Sequence, residues 1–238
     1  MKQTIILILT LLTIFTSCNQ ECEKIISQYE NGKKEVVYKY PDCSDTTTYI
    51  KTYYFENGQI GSIGFIKNQV KDGLFKSWNE NGVQTAEWYM KNGKEHGIIK
   101  CWFDNGVLSK ESNMNEGVKN GLETIWDNDG DTILIGNYKN GTRIGKWKRF
   151  YNKKKWVIYN YVEGKYSGQT IEHLLDSTGK TIWVNGQYLD GKETGTWKWF
   201  DNDSNLFLTV SYEHGKVINQ ISTKYKFKLN LSPASAGE

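Results

Sequence analysis

GLFKSWNENGVQTAEWYMKNGKEH, residues 73–96, is one period of a repeat that runs through most of this chain. Its leading glycine recurs as Gly73, Gly97, Gly121, Gly145, Gly168 and Gly195, at steps of 24, 24, 24, 23 and 27 residues. A second column, Gly58, Gly82, Gly106 and Gly130, keeps the 24-residue step, and a third runs through Gly93, Gly117, Gly141, Gly164, Gly191 and Gly215. Self-similarity at this period marks an architecture in which each unit is one supersecondary element that buries apolar surface by stacking on its neighbours.

Within the period, Gly73 to Trp78 reads as a strand, Asn79 to Gly82 as a turn and Val83 to Lys91 as the returning strand. Asn-Gly is a strong hairpin signal because both central residues of a type I′ turn need positive φ. It recurs as Asn57-Gly58, Asn81-Gly82 and Asn105-Gly106, with Asp129-Gly130 in the fourth place. Each unit is therefore expected to be a β-hairpin joined to the next by a short loop. Large side chains also keep register. Trp78, Trp102, Trp126, Phe150, His173 and Phe200 stand five residues after the leading glycines, and Met90, Met114, Tyr138, Tyr161, Tyr188 and Tyr212 three before the late ones. A further column, Phe75, Ile99, Trp147 and Trp197, should face the other side of the same strands. With 33 aromatic residues, 23 glycines and only 2 prolines, the composition favours strand over helix. The expected fold is all-β, an elongated single antiparallel sheet of hairpin repeats.

These residues resemble the bacterial variety of the MORN repeat. The resemblance rests on [Asp/Glu]-Asn-Gly, a tyrosine or other large residue, then Asn-Gly-Lys-x-x-Gly and a Trp or Tyr strand, over about residues 26–218. It is closest over residues 50–145 and weaker at Asn152–Lys155, where Lys-Lys-Lys replaces the turn. It implies an antiparallel meander acting as a protein-binding or scaffolding module. Related bacterial proteins are often labelled antitoxins, so an immunity-like role is the narrower form of that expectation. A structural envelope protein is the alternative, and an enzyme the more distant one.

The chain divides into a leader (1–17), an N-terminal cap with a degenerate first repeat (18–49), the repeats (50–218), and a capping strand with a disordered tail (219–238). Met1-Lys2 and the apolar run Ile5 to Phe15 form a secretory leader, too short for the roughly 20 apolar residues of a membrane-spanning helix. Phe15-Thr16-Ser17-Cys18 resembles a lipobox, which implies acylation of Cys18 and a membrane-anchored lipoprotein in the bacterial cell envelope. Export leaves Cys22 and Cys43 in an oxidising compartment, either joined as a disulfide or as two thiols. Cys101 reads as a small buried apolar residue.

Net charge is +3, which gives no general attraction to nucleic acid. Arg143, Lys146, Lys148, Arg149, Lys153, Lys154 and Lys155 nevertheless fall within 13 residues that hold no acidic residue. Two readings stay open for them, a solvated edge or a docking surface for anionic lipid headgroups or an acidic protein. With Trp147, Trp197 and Trp199, expected as an exposed aromatic patch, they form the candidate partner-binding set. No metal or other cofactor is expected. Asp127 to Asp131 and Asp201 to Asn205 lack the sixth-position glycine and twelfth-position Glu of a calcium loop, and His96, His173 and His214 sit at unrelated places as loop or surface residues. Glu87 and Glu111 are equivalent residues of successive units and read as a solvated stripe.

Overall fold

The computed structural model describes residues 22–176 and 178–223. The leader, Cys18 and most of the capping strand and tail expected over residues 219–238 lie outside the described residues. The strands are β1 (Cys22–Gln28), β2 (Lys34–Tyr40), β3 (Thr48–Tyr54), β4 (Ile60–Lys67), β5 (Val70–Trp78), β6 (Gln84–Lys91) and β7 (Lys94–Glu95). They continue as β8 (Gly97–Trp102), β9 (Leu108–Asn115), β10 (Val118–Trp126), β11 (Thr132–Lys139), β12 (Thr142–Asn152) and β13 (Lys155–Val162). The last are β14 (Lys165–Tyr166), β15 (Gly168–Leu175), β16 (Thr181–Leu189), β17 (Lys192–Phe200), β18 (Leu206–Glu213) and β19 (Lys216–Ser222). All 19 belong to one open antiparallel meander. Strands pair with their neighbours in sequence except that the two-residue strands β7 and β14 pair only with β6 and β13, which reach past them to β8 and β15.

The two turn columns differ from the expected geometry. Type I′ turns stand at the late glycines, where both central residues are left-handed: Asn92 and Gly93 have φ of 49° and 79°, and Glu116 and Gly117 repeat the pattern. At the early turns only the glycine has positive φ, as at Gly58 and Gly82. Asparagine serves there for its side chain. Asn57 Oδ1 accepts the backbone N–H of Gln59, while its Nδ2 donates to the carbonyl of Glu80 in the next unit's turn. Asn105 does the same toward Val107 and Asn128. Along the other edge, the N–H of each late-turn glycine from Gly93 to Gly215 donates 2.8–3.1 Å to a carbonyl 21 to 25 residues earlier, such as Gly141 to Lys119 and Gly164 to Arg143. Both edges are thus fastened unit to unit.

Gly97 and Gly168 start β8 and β15, but the other leading glycines lie inside their strands. Gly73 and Gly121 lie inside β5 and β10 at interruptions of the ladder register, with φ of 120° and 118°. They are bulge positions that need a backbone open to residues without Cβ.

A sheet with no second layer must bury its apolar groups within one face. Strand pairing puts Gly64, Phe75, Trp88, Ile99, Ser112, Glu123, Gly136, Trp147, Tyr159, Thr170, Gly186, Trp197 and Val210 in one cross-strand row. This is the core face, and the opposite one is the open face. Phe75, Trp147 and Trp197 lie flat over Gly64, Gly136 and Gly186 of the preceding strand, where any Cβ would fall inside the ring. Tyrosines close the sides: Tyr138 and Tyr161 meet Trp147 edge-on, and Tyr188 and Tyr212 meet Trp197 the same way. Trp147 and Trp197 are consequently 1% and 0% exposed on a single-layered sheet. Cys22 and Cys43 form a disulfide with Cα atoms 5.3 Å apart, tying the start of β1 to the loop between β2 and β3.

Candidate functional site

The candidate partner-binding residues do not form one surface. Trp147, Trp197 and Trp199 are buried on the core face, so the exposed aromatic patch expected from the sequence does not exist at these residues. The reason is the glycine under each of the first two rings, together with Val184 and Leu208 on either side of Trp199. The basic residues divide by strand alternation. Lys146 and Lys148 point to the open face, where Lys148 Nζ lies 4.2 Å from the centroid of Trp156. Arg143, Arg149 and Lys155 point to the core face, where Arg149 and Lys155 approach the ring of Tyr151. Lys153 and Lys154 form the turn, and Lys153 pairs with Asp131 at 3.1 Å, so the cluster does have an acidic partner. That contact raises the Lys153 pKa.

Arg143 is placed differently from the rest. Its guanidinium stacks 4.5 Å from the Trp147 centroid and donates to the hydroxyls of Tyr161 at 3.0 Å and Tyr138 at 3.4 Å. Burial lowers its pKa, but the two phenol contacts outweigh that and the group is held as a cation. It borders a groove of about 640 Å³ with Tyr138, Tyr161, Tyr166 and the late-turn glycines Gly141, Gly164 and Gly191. Lys165 and Asp190, 4.0 Å apart, face each other across the same groove.

The open face carries two rows across the first half of the sheet. Lys76 pairs with Glu87 at 2.9 Å and Lys100 with Glu111 at 3.8 Å, which makes the repeated glutamates a ladder of ion pairs. Beside them runs a row of Leu74, Tyr89, Ile98 and Leu122, exposed by 47, 43, 47 and 40%, with Asn113 between Ile98 and Leu122. In the second half the equivalent row is Lys146, Gln169 and Thr196, so this apolar row ends at Leu122.

Two buried polar groups escaped sequence reading. Glu123 is 3% exposed and accepts from Ser112 Oγ at 2.9 Å and from Lys119. Glu172 lies between Val157 and Val184, its Oε1 buried without a hydrogen-bond partner. Burial raises its pKa to about 7, Lys155 pulling it down and Glu193 pushing it up less strongly. The only signal was a carboxylate at a position where other units carry Ser77, Cys101, Ile125, Arg149 and Trp199. His173 was expected in a loop or on the surface and instead stacks between Trp156 and Trp183, with ring centroids 5.3 and 4.5 Å away. Cys101 is half-buried with a free thiol. Among the described residues no group of three or more His, Cys, Asp or Glu is arranged to hold a metal ion. Asp127 Oδ1 accepts the N–H groups of Asp129 and Asp131 and so closes its own turn.

The period spanning β7, β8 and β9 has an outside counterpart. The family model of the MORN repeat variant matches residues 95–116. The match covers one unit, and the turns, bulges and glycine stitches of that unit recur along the sheet. No curated protein matches the chain. The MORN-like hairpin array fits a protein-binding or structural module, and such repeats are generally non-enzymatic.

Proposed function

We propose that this protein is a lipid-anchored, extracytoplasmic binding module that docks a protein partner on the open face of its sheet. The observation that carries the reading is the row Leu74, Tyr89, Ile98 and Leu122, four large apolar side chains left exposed with Asn113 between the last two, beside an alternating Lys and Glu ladder. Exposed apolar surface rimmed by charge marks interaction sites on soluble domains, and the ion-pair ladder would fix a partner's register. The anchor would be Cys18, and the Cys22–Cys43 disulfide supports export because such bonds persist in oxidising compartments. An immunity or antitoxin-like role is a narrower form of the same activity.

The test is crosslinking capture from the native envelope with wild-type protein and the double variant Leu74→Ser, Ile98→Ser. Loss of the captured partner with an unchanged unfolding midpoint is the expected result; undiminished capture would refute docking on this face. Cys18→Ala should release the protein from the membrane fraction, and absence of palmitate incorporation into wild type would remove the anchor from the proposal.

A further inference from the structure

We propose that the Arg143 groove binds one carboxylate of an acidic peptide segment, a second contact point that rests on the protein-binding reading above. The argument comes from two units with the same backbone and different side chains. Lys119 and Arg143 each stand two residues before a leading glycine, Gly121 and Gly145, on the core face beside a tyrosine ring. In the first unit the cation is met by the chain's own carboxylate, Glu123, two residues after Gly121. In the second unit that place is taken by Trp147, over whose ring the guanidinium lies. Among the described residues, no Asp or Glu carboxylate pairs with Arg143; its hydrogen-bond partners are two phenol oxygens.

A half-buried cation without a counter-charge is electrostatically incomplete, and a planar guanidinium with donors to spare is matched by a carboxylate. The charge of the groove selects the same class. Lys165 and Asp190 offset each other, which leaves one net positive charge from Arg143. That suits a monoanion better than a phosphate dianion. The walls are tyrosine rings, and a volume of about 640 Å³ admits an aromatic or aliphatic neighbour beside the carboxylate.

The groove can be tested by nitrogen-15 NMR of the full chain, following the Trp147 indole N–H, which donates 3.1 Å to the carbonyl of Asn137 beneath the guanidinium. The probes are the capped peptide Ac-Gly-Tyr-Glu-Tyr-Gly-NH2 and its Gln counterpart. Wild type should bind the Glu peptide saturably and about tenfold more tightly than the Gln peptide, the difference expected for one charge-assisted contact. Arg143→Gln should erase the difference, and Lys153→Gln should keep it. Because the two probes differ while the protein does not, the first result is independent of any variant's fold. Equal binding of both peptides, no binding of either, or a preference that survives Arg143→Gln would overturn the proposal. So would Arg143-dependent binding of phosphatidylglycerol vesicles in place of the Glu peptide, which would reassign the groove to lipid. Docking on the open face is judged separately by the Leu74 and Ile98 variant, so either idea can fail alone.

Discussion

The two halves of this sheet share a backbone and differ in what they bury. From Trp147 onward the core face holds twelve of the sixteen buried apolar residues among the described part of the chain. Before it, the same row is interrupted by Ser112 and Glu123, both nearly inaccessible and bonded to each other. On the open face the row that holds Leu74, Tyr89, Ile98 and Leu122 in the first half holds Lys146, Gln169 and Thr196 in the second, while Phe150, Trp156, His173 and Trp183 keep an aromatic row on that face. Repetition of turns and bulges therefore fixes geometry without fixing energetics. In a linear array, stability is a sum over units and their interfaces, so the second half should be the stable end and the first half the adaptable one.

The largest test of that contrast is to take away the flat rings of the second half. Trp197→Ser should cost about 3–5 kcal/mol in equilibrium unfolding, as loss of a fully buried indole does, and Trp147→Ser a similar amount. Gly186→Ala should approach the lower part of that range, because its methyl would displace the Trp197 ring that rests there. If these variants unfold at the wild-type midpoint, the core face is not where the stability lies.

A second test uses pH. Glu172 has a folded pKa of about 7 against an ordinary value of 4.5, raised by burial. The folded state therefore holds a proton that the unfolded chain has lost across that window. The contribution is complete below pH 4.5, declines as pH rises toward 7 and is gone above it, a few kcal/mol in all. Glu172→Gln should flatten this slope in denaturant titrations at pH 5, 6 and 8, and an unchanged slope would mean that the carboxyl is solvated.

The smallest effect separates space from backbone conformation. A Cβ at Gly141 meets nothing within 4 Å, yet the residue has φ of 79°. Gly141→Ala should therefore cost about 1–2 kcal/mol, all of it from the left-handed backbone. Glu87→Ala, which breaks a half-exposed pair with Lys76, should cost less than about 1 kcal/mol. A Glu87 effect larger than that at Gly141 would invert the ranking of ladder and turn.

Much of this was legible in the chain. The three glycine columns gave the repeat, its hairpins and the all-β class because each column answers one backbone requirement. The turn types were misassigned because Asn-Gly satisfies two geometries, and the choice depends on hydrogen bonds to the adjacent unit that no single period reveals. Burial of Trp147 and Trp197 was missed because the decisive residues, Gly136 and Gly186, fall outside the three columns, although each precedes its tryptophan by the eleven residues that also separate Gly64 from Phe75. The basic cluster looked continuous because sequence proximity ignores strand alternation, which sends Lys148 and Arg149 to opposite faces.

The glycine stitches along the late-turn edge bear on how such a chain can change length. Each spans one unit and pins a turn to the turn before it, so that edge admits no looped-out residues without losing a bond. The three extra residues of the unit from Gly168 to Gly195 accordingly appear on the opposite edge, where β15 and β16 pair without a slip from Gly168–Tyr188 out to Leu175–Thr181. That hairpin reaches as far as the one before it, which pairs out to Asn152–Lys155, and overhangs the one after it, which stops at Phe200–Leu206. One margin of the molecule, stitched by backbone bonds, thus behaves as a spine, and the other, fastened by side-chain bonds between turns, as a fringe. Grafted loops or reporter tags belong at Gly179 on the fringe, whereas the same graft at Gly164 would unpick the spine.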